Sequence, residues 1–405
     1  MNQYDVIIAG AGPAGSMSAF HLAKAGARVL VLDAQWFPRE KACGGGVQQR
    51  AAQRIPFDFS SVVRGRLSGF ELTFNFGQNC LRTYPDDLVY SVLRSEFDQF
   101  LLAQAVRAGA HVQHGVRVLG VSSGPESAEV QTSAGALSAR YVIGADGANS
   151  VIGRLLNRRD NYFWQAALYC EVPEEHLAPG GLAYQNMRVD WGTLPSGYAW
   201  IFPKVGSANI GVGCPAPLGR MLRPYLKSFI SAEGILKSQA LEALRFKGHQ
   251  LPTLTKRTVL ENSSVMLVGD AAGLVEPFTG DGISQACHSA ELAAESILDS
   301  LENRCAQRTY SQKVLREIGS ELIWSRKLLS LAVTFPHALY RAFKINDRVW
   351  NTFCRVLRAE ESFKSVKAAA LGPLELLCTP IEFIVERYEK RKIHRFSSEQ
   401  LAKPA

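Results

Sequence analysis

A short glycine-rich segment near the N-terminus has the residue spacing of a phosphate-binding turn. Residues 10–15 read Gly-Ala-Gly-Pro-Ala-Gly, directly after the apolar run Val6–Ala9 and before a stretch of helical character. The first glycine permits a tight turn, the second lets backbone approach a pyrophosphate, and the third lets the helix pack closely on the strand. Free amides at the helix start favour bound phosphate. The expected contacts to a dinucleotide are Gly10, Gly12, Pro13, Ala14 and Gly15.

An acidic residue follows the next predicted strand. After a break at Gly26, the run Arg28–Leu32 predicts this strand, and Asp33 lies 18 residues beyond Gly15. In βαβ units that bind dinucleotides, an acid at this place hydrogen-bonds a ribose hydroxyl. We therefore expect Asp33 and the adjoining Ala34 to contact the ribose.

Three short segments farther along the chain complete the pattern that the turn begins. They are Arg94-Ser-Glu-Phe-Asp98, Gly144-Ala-Asp146-Gly147 and Gly269-Asp270-Ala-Ala-Gly273. With the glycine-rich turn, in this order, they resemble the para-hydroxybenzoate-hydroxylase-like flavoprotein superfamily. The resemblance implies FAD as the cofactor, with Arg94 near its phosphate or ribitol side and Asp270 at its ribitol chain. It implies further contacts at Asp146, Gly147 and Gly269.

Three other segments indicate the branch of this superfamily. One contains Cys43-Gly44-Gly45-Gly46, one reads Tyr198-Ala-Trp200-Ile-Phe202-Pro203, and one reads Pro277-Phe-Thr-Gly280-Asp281-Gly282-Ile283. They are similar to motifs of the geranylgeranyl reductase family, which usually has Glu where this chain has Asp281. The resemblance covers residues 1 to about 300. It implies cofactor contacts at Cys43, Gly44, Gly45, Gly280, Gly282 and Ile283.

The aromatic residues of the second segment alternate along the chain. Tyr198, Trp200 and Phe202 are two residues apart, so their side chains share one face of a strand. Such a face suits a long apolar substrate, and ordinary core packing is the competing interpretation. We expect these three residues, with Pro203, to contact the substrate.

The resemblance implies a reductase that saturates isolated double bonds of an isoprenoid chain. An unactivated alkene accepts hydride poorly, so a proton must reach one carbon while hydride from flavin N5 reaches the other, in a dry pocket. Cys43 is the candidate catalytic residue, either as the proton donor or by shaping the site. Water held by polar groups is the alternative proton source. For a prenyl diphosphate substrate, Arg188 and Lys204 could supply local charge, although residues 1–300 carry no net charge overall.

An FAD-dependent monooxygenase, a hydroxylase or epoxidase acting on an apolar or aromatic substrate, is the main alternative on the same fold. Flavin halogenases typically carry Trp-x-Trp-x-Ile-Pro, whereas this chain has Tyr198 and Phe202 at the first and fifth positions. A non-catalytic flavoprotein is disfavoured by the complete loop at residues 277–283. The chain has no second dinucleotide fingerprint. The reductant is therefore NAD(P)H that visits transiently or an electron-donor protein, reduced ferredoxin.

The predicted fold class is α/β (α+β). A Rossmann-type FAD-binding domain, residues 1–68, 88–160 and 255–300, is interleaved with an antiparallel β-sheet substrate domain, residues 69–87 and 161–254. A C-terminal helical region, residues 301–405, follows, and its apolar stripe includes Val349, Trp350, Phe353, Val356 and Leu357.

Composition indicates an ordinary folded protein. The 405 residues are 47% hydrophobic and 20% charged. No apolar run reaches the ~18 residues of a membrane-spanning helix, and a basic leader is missing, so we expect a cytoplasmic location. The eight cysteines form no CxxC pair and the histidines do not cluster, so we expect no metal site.

The net charge of +8 arises entirely in residues 301–405, which hold 19 Lys and Arg against 11 Asp and Glu. We expect no nucleic-acid partner. One hypothesis is peripheral contact with the inner face of a membrane. In this hypothesis the helices would lay Trp324, Leu328, Leu329 and Phe343 against the membrane. Arg326, Lys327, Arg341 and Lys344 would bind anionic lipid headgroups. The alternatives are a solvated helical face or a helical cap that closes the substrate cavity.

Overall fold

The computed structural model describes residues 4–124, 126–156, 162–180, 182–237, 240–255, 259–302, 309–371, 391 and 393. The strands are β1 (Tyr4–Ala9), β2 (Val29–Asp33), β3 (Gly46–Gln48), β4 (Val63–Leu67), β5 (Gly69–Phe74), β6 (Cys80–Thr83), β7 (Val89–Val92), β8 (His111–His114), β9 (Val118–Ser123), β10 (Ala128–Thr132), β11 (Gly135–Gly144), β12 (Tyr162–Pro173), β13 (Asn186–Trp191), β14 (Tyr198–Lys204), β15 (Ser207–Pro215), β16 (Lys247–Leu254), β17 (Glu261–Asn262) and β18 (Val265–Leu267). The α-helices are α1 (Pro13–Lys24), α2 (Gln49–Ala52), α3 (Arg94–Arg107), α4 (Val151–Leu156), α5 (Leu222–Glu233), α6 (Ala240–Ala243), α7 (Ile283–Leu301), α8 (Tyr310–Glu317), α9 (Gly319–Thr334), α10 (Pro336–Ile345), α11 (Asp347–Leu357) and α12 (Phe363–Leu371).

The first sheet has eight strands, with β1 near its centre. Strand β1 pairs in parallel with β2 and β11, and β8 and β18 extend the sheet in the same direction. Buried apolar residues fill both central strands, as a sheet with both faces covered requires. Helix α1 begins directly after β1 and packs against α3 and α7. This places its N-terminus at the carboxyl edge of the sheet.

The second sheet has seven strands in the order β16-β12-β15-β14-β13-β5-β6. One of its faces packs on α5 through residues such as Ile201, Ile210 and Phe229. The opposite face, which carries Phe202, packs toward the C-terminal helices. Strands β13 and β5 pair in parallel, so the predicted all-antiparallel sheet is wrong in this detail. Between them the chain forms β6, crosses to the other two sheets and returns to the second sheet with β12, so β5 and β13 are joined by the long connection that parallel pairing needs.

A third sheet has the three strands β3, β7 and β4. Along the chain, β3 and β4 connect the first sheet to the second, and β7 connects the second sheet back to the first. Strand β7 pairs antiparallel with both neighbours. Its residue Val92 precedes α3, and Gly46 of β3 follows the Cys-Gly-Gly segment. This sheet therefore fixes the position of the segment that contains Cys43 and of the N-terminus of α3, where Arg94 lies.

The C-terminal helices cover one face of the second sheet. Leu328, Leu329 and Phe343 are only 0%, 5% and 0% exposed and pack in the same cluster as Phe70 and Met187. The hypothesis that these three residues face a membrane is therefore wrong, because their apolar surface is already buried against the sheet. The helical-cap alternative agrees with this packing. Peripheral membrane contact by other residues of this region stays a prediction.

The predicted fold class is confirmed. A parallel α/β sheet, a second β-rich unit and helices over residues 310–371 are all present. Within the predicted helical region, residues 303–308, 372–390, 392 and 394–405 lie outside the described residues. None of the described helices is both long and apolar enough to cross a membrane.

Strand β5 ends at Phe74, because Asn75 and Phe76 have φ of 52° and 57° and form a turn. Strands from residues 69–83 and 162–254 pair within one sheet. The division of the chain into domains stays a prediction.

Replacing Gly15 tests the close packing of α1 on β1. A Cβ at Gly15 would lie 1.8 Å from the carbonyl oxygen of Gly10. We expect Gly15→Ala to lower the free energy of unfolding by about 3 kcal/mol, because backbone must move. In the control Gly120→Ala, a Cβ meets no atom within 4 Å, and we expect a change of at most ~0.5 kcal/mol. Equal urea midpoints for both variants would contradict this prediction.

Candidate active site

A cavity of about 460 Å³ opens where the carboxyl edge of the first sheet meets the second sheet. Residues that follow β1, β2, β11 and β18 line one part of it, namely Gly10, Ala34, Ala145 and Asp270. Ligands of open α/β sheets bind at this edge. The other part, the apolar end, is lined by Phe70, Val89, Met187, Phe353 and Leu357.

The glycine-rich turn and Asp33 form the wall at the first sheet. Asp33 is oriented by two backbone amides, since its carboxylate accepts from Ala11 N at 2.8 Å and from Gln35 N at 2.9 Å. Gly12 and Pro13 lie beside it in the same wall. Helix α1 thus points its N-terminus, with its free amides, into the cavity.

Two arginines share one buried carboxylate beside this wall. Arg94 donates to Asp98 through two hydrogen bonds of 2.7 and 2.8 Å, and Arg39 lies 3.3 Å from the same carboxylate. Burial alone would lower the pKa of Arg94, but Asp98 and Cys43 raise it above its usual range. Two guanidinium groups against one carboxylate leave positive charge facing the cavity. This charge suits a pyrophosphate.

The Cys-Gly-Gly segment is seated on the aromatic strand β14. Gly45 N donates to the Cys43 sulfur at 3.4 Å, and Asn209 Nδ2 donates to the Cys43 carbonyl at 3.3 Å. The same Asn209 accepts from Trp200 Nε1 at 2.9 Å. Gly44 lies so close to the rings of Trp200 and Phe202 that a Cβ would contact both at 3.0–3.2 Å. The Cys43 segment and the aromatic face are therefore held together.

The loop of residues 276–283 forms the facing wall and is held by side chains of the second and third sheets. Tyr198 donates its hydroxyl hydrogen to the Thr279 carbonyl at 2.7 Å. Gln48 Nε2 donates to Thr279 Oγ1 at 3.0 Å, and Gln165 Nε2 donates to the Pro277 carbonyl at 3.2 Å. Each of the three donors also lines the cavity.

A buried arginine on α2 pairs with two carboxylates of this loop. Arg50 lies 2.9 Å from Asp281 and 3.6 Å from Glu276. Asp281 also accepts from Ser284 N at 3.1 Å, which caps the start of α7. The shorter Asp, at the position where the family usually has Glu, therefore still reaches both partners.

Lys41, His249 and Asp270 form a polar cluster in the cavity wall. Lys41 Nζ lies 2.9 Å from His249 Nε2, which lies 3.6 Å from the Asp270 carboxylate. Burial lowers the pKa of Lys41, and nearby Asp270 opposes this shift. Burial would raise the pKa of Asp270, but hydrogen bonding to His249 and the charge of Lys41 lower it overall.

Sequence reasoning missed Lys41, Arg39 and His249 as site residues. Lys41 and Arg39 belong to the same segment as Cys43, so that segment contained their signal. His249 lies on β16, 208 residues from Lys41 along the chain. Only the pairing of β16 with β12 brings it to the cavity.

Two buried acceptors test whether these residues fit a ligand such as FAD. Gln48 Oε1 and Gln165 Oε1 have no hydrogen-bond partner among the described residues, although both residues line the cavity. A buried unpaired carbonyl is costly, so a ligand or water that donates hydrogen is expected there. With the helix N-terminus and the two arginines, this donor and acceptor set fits FAD.

The structure places most of the predicted site residues in the wall of this cavity. These are Gly10, Gly12, Pro13, Ala14, Asp33, Ala34, Cys43, Gly44, Arg94, Asp146, Gly147, Asp270, Gly280, Gly282, Ile283, Tyr198, Trp200 and Phe202. Their individual roles stay predictions.

Four predicted residues are not part of the cavity lining. Gly15 lies against Gly10, Gly269 lies against Ala14, and a Cβ at Gly45 would lie 2.2 Å from the Val92 carbonyl oxygen. These three glycines allow close packing behind the wall. Pro203 follows Phe202 on β14, so its ring lies on the opposite face of the strand, and its role as a substrate contact stays a prediction.

Comparison with known proteins identifies the class. Residues 3–54 and 75–160 match the model of the FAD binding domain. A menaquinone reductase of Mycolicibacterium smegmatis is 32% identical over 309 residues, covering 72% of this chain and 75% of that protein. A digeranylgeranylglycerophospholipid reductase of Methanococcus vannielii is 29% identical over 374 residues, covering 88% of each chain.

A solved structure shows the same fold. The geranylgeranyl bacteriochlorophyll reductase-like protein of Thermoplasma acidophilum superposes with a TM-score of 0.68 at 23% identity, covering 94% of this chain and 99% of that one. The protein is an FAD-dependent oxidoreductase. It belongs to the geranylgeranyl reductase family.

Removing one hydroxyl tests how the 276–283 loop is held. Tyr198→Phe deletes the hydrogen bond to the Thr279 carbonyl. We expect it to cost about 1 kcal/mol of stability and to weaken FAD binding about fivefold, because the loop loses its link to β14. In the control Tyr184→Phe, an exposed tyrosine changes, and neither quantity should move. FAD titration by flavin fluorescence and a melting curve measure both, and unchanged FAD affinity in Tyr198→Phe would contradict the prediction.

Proposed function

We propose that this protein saturates carbon–carbon double bonds in the isoprenoid chain of a prenylated lipid or quinone. The observation that carries the proposal is the change of polarity along one cavity. Its cations Arg39, Lys41, Arg94 and Arg117 are separate from its apolar end, where Phe70, Val89, Met187, Phe353 and Leu357 belong to one hydrophobic cluster. Burying a hydrocarbon chain in such an end lowers the free energy, whereas burying a charged group there would cost its hydration.

A prenyl diphosphate is the less favoured substrate class. The two residues that could supply charge to it already hold carboxylates. Lys204 lies 2.9 Å from Glu171, and Arg188 lies 2.6 Å from Glu71 and 2.8 Å from Glu233. The relatives whose names mention a menaquinone or a glycerophospholipid support the prenylated-lipid class.

The chemistry divides between cofactor and protein. FAD, when bound and reduced, supplies hydride. The protein holds the alkene in a dry aromatic wall of Tyr198, Trp200 and Phe202 and delivers a proton to the second carbon. Cys43 is the proposed donor, because it lines the cavity beside these aromatic rings and its sulfur accepts from Gly45 N at 3.4 Å. Water held by polar groups of the wall is the alternative proton source.

The electron donor and the location of the protein stay predictions. NAD(P)H and reduced ferredoxin are both compatible with a cavity that already contains one dinucleotide site. We also retain a cytoplasmic location, with peripheral membrane contact as the route by which a lipid substrate would reach the cavity.

Anaerobic photoreduction of the purified flavoprotein tests the reaction class. We expect the reduced flavin to be reoxidised on mixing with a prenylated quinone or a geranylgeranyl-bearing glycerolipid. The product should gain about two mass units for each bond saturated, because hydride and proton are both added. Reduced flavin that persists without oxygen, yet yields an oxygenated product with oxygen, would establish the monooxygenase alternative instead.

Replacing Cys43 tests the proton source. We expect Cys43→Ala to slow alkene saturation by roughly 10²-fold, the usual effect of losing a general acid, and Cys43→Ser to recover part of the rate. Rates are compared at saturating FAD, and the bound flavin should still be photoreduced in both variants. Equal saturation rates in wild type and Cys43→Ala would assign the proton to bound water. As a control, the reaction is run in D2O, and deuterium in the product shows that a solvent-exchangeable proton was added to the alkene.

A further inference from the structure

Helix α11 presents two apolar side chains to the cavity. Phe353 and Leu357 are four residues apart, so they lie on one face of the helix, and both line the apolar end. Other buried residues of α11, such as Val356, pack in the neighbouring core without lining the cavity. The family-like segments described above all lie before residue 300, so none of them assigns these two residues a role.

The helix is fastened to the second sheet along its length. Asp347 at its start lies 2.7 Å from Arg82, and Trp350 Nε1 donates to the Thr83 carbonyl at 2.8 Å. Arg358, directly after its end, donates to a main-chain carbonyl before β7 at 3.0 Å. A helix held at both ends and in the middle forms a fixed wall rather than a lid.

The position of this wall relative to the 276–283 loop is also fixed. The ring of Phe353 packs edge-to-face on Phe278 of that loop, with centroids 6.2 Å apart, and on Phe70 of β5 at 6.0 Å. Phe343 packs on its other side at 5.1 Å. Space for a chain between the loop and α11 is therefore set by side-chain size at Phe353 and Leu357.

We propose that Phe353 and Leu357 form a stop that limits how far an isoprenoid chain passes the 276–283 loop. The stop thereby selects which double bond lies at the reacting position. This inference rests on the proposed function, since it concerns the substrate of the same cavity. Phe353→Ala removes about six carbon atoms, slightly more than a five-carbon isoprene unit, whereas Leu357→Ala removes about three. The two positions should therefore differ in effect.

The test uses the FAD-loaded full-length protein and prenylated naphthoquinones of increasing chain length. Tandem mass spectrometry of the products locates the saturated bond. We expect Phe353→Ala to move the saturated bond by one isoprene unit along the chain and to admit a substrate one unit longer. Phe353→Trp should shorten the accepted chain. Leu357→Ala should give a mixture of the wild-type and shifted products.

Two controls keep stability separate from specificity. Val356→Ala changes a buried residue of the same helix that does not line the cavity, so its products should match wild type. Phe353→Leu is a milder change than Phe353→Ala. If Phe353→Ala does not fold, the products of Phe353→Leu and Phe353→Trp show whether side-chain size at this position selects the saturated bond. Unchanged bond position and chain length in the folded Phe353 variants would overturn the stop. Wild-type protein that saturates no prenyl chain would instead overturn the proposed function.

Discussion

A buried carboxylate, that of Glu276, joins three parts of the chain beneath the 276–283 loop. It accepts hydrogen bonds from the amides of Phe278 and Thr279 and from the hydroxyl of Ser325 on α9, and it faces Arg50. Burial raises the pKa of Glu276, because desolvation disfavours its charged form, and these donors and Arg50 oppose that shift. A carboxylate is tolerated there only while its donors surround it. The loop, α2 and α9 must therefore assemble together, and the cavity depends on that assembly.

The cavity has a polar, charged part and an apolar part, and each part is formed by different secondary-structure elements. The parallel sheet contributes backbone amides, a helix N-terminus and charged groups, since these cluster at the carboxyl ends of its strands. The second sheet and α11 contribute aromatic and aliphatic side chains from faces that are otherwise core. The Cys-Gly-Gly segment lies beside both, near Arg94 on one side and against Trp200 on the other. A reactive position at this junction is where hydride chemistry and an apolar chain can coincide.

This fold hosts several flavin chemistries, so the fold alone does not define the reaction. The particulars that favour alkene reduction are local. Lys204 and Arg188 are committed to carboxylates, the apolar end lacks charge among the described lining residues, and α11 closes it with a fixed wall. The C-terminal helices therefore contribute to the apolar end of the cavity through Phe353 and Leu357.

The sequence by itself determined the dinucleotide turn, the FAD cofactor, the family and most of the cavity lining, because glycine spacing and short motifs depend on local backbone geometry. It also determined that Tyr198, Trp200 and Phe202 share a face, since strand periodicity is local. Only the tertiary structure decided that His249 joins Lys41 across 208 residues and that Leu328 and Phe343 are buried. Pairing of β16 with β12 and packing of α9–α11 on the second sheet are long-range contacts. Such contacts leave no periodic signal, because a residue's partner in space is independent of its neighbours in the chain.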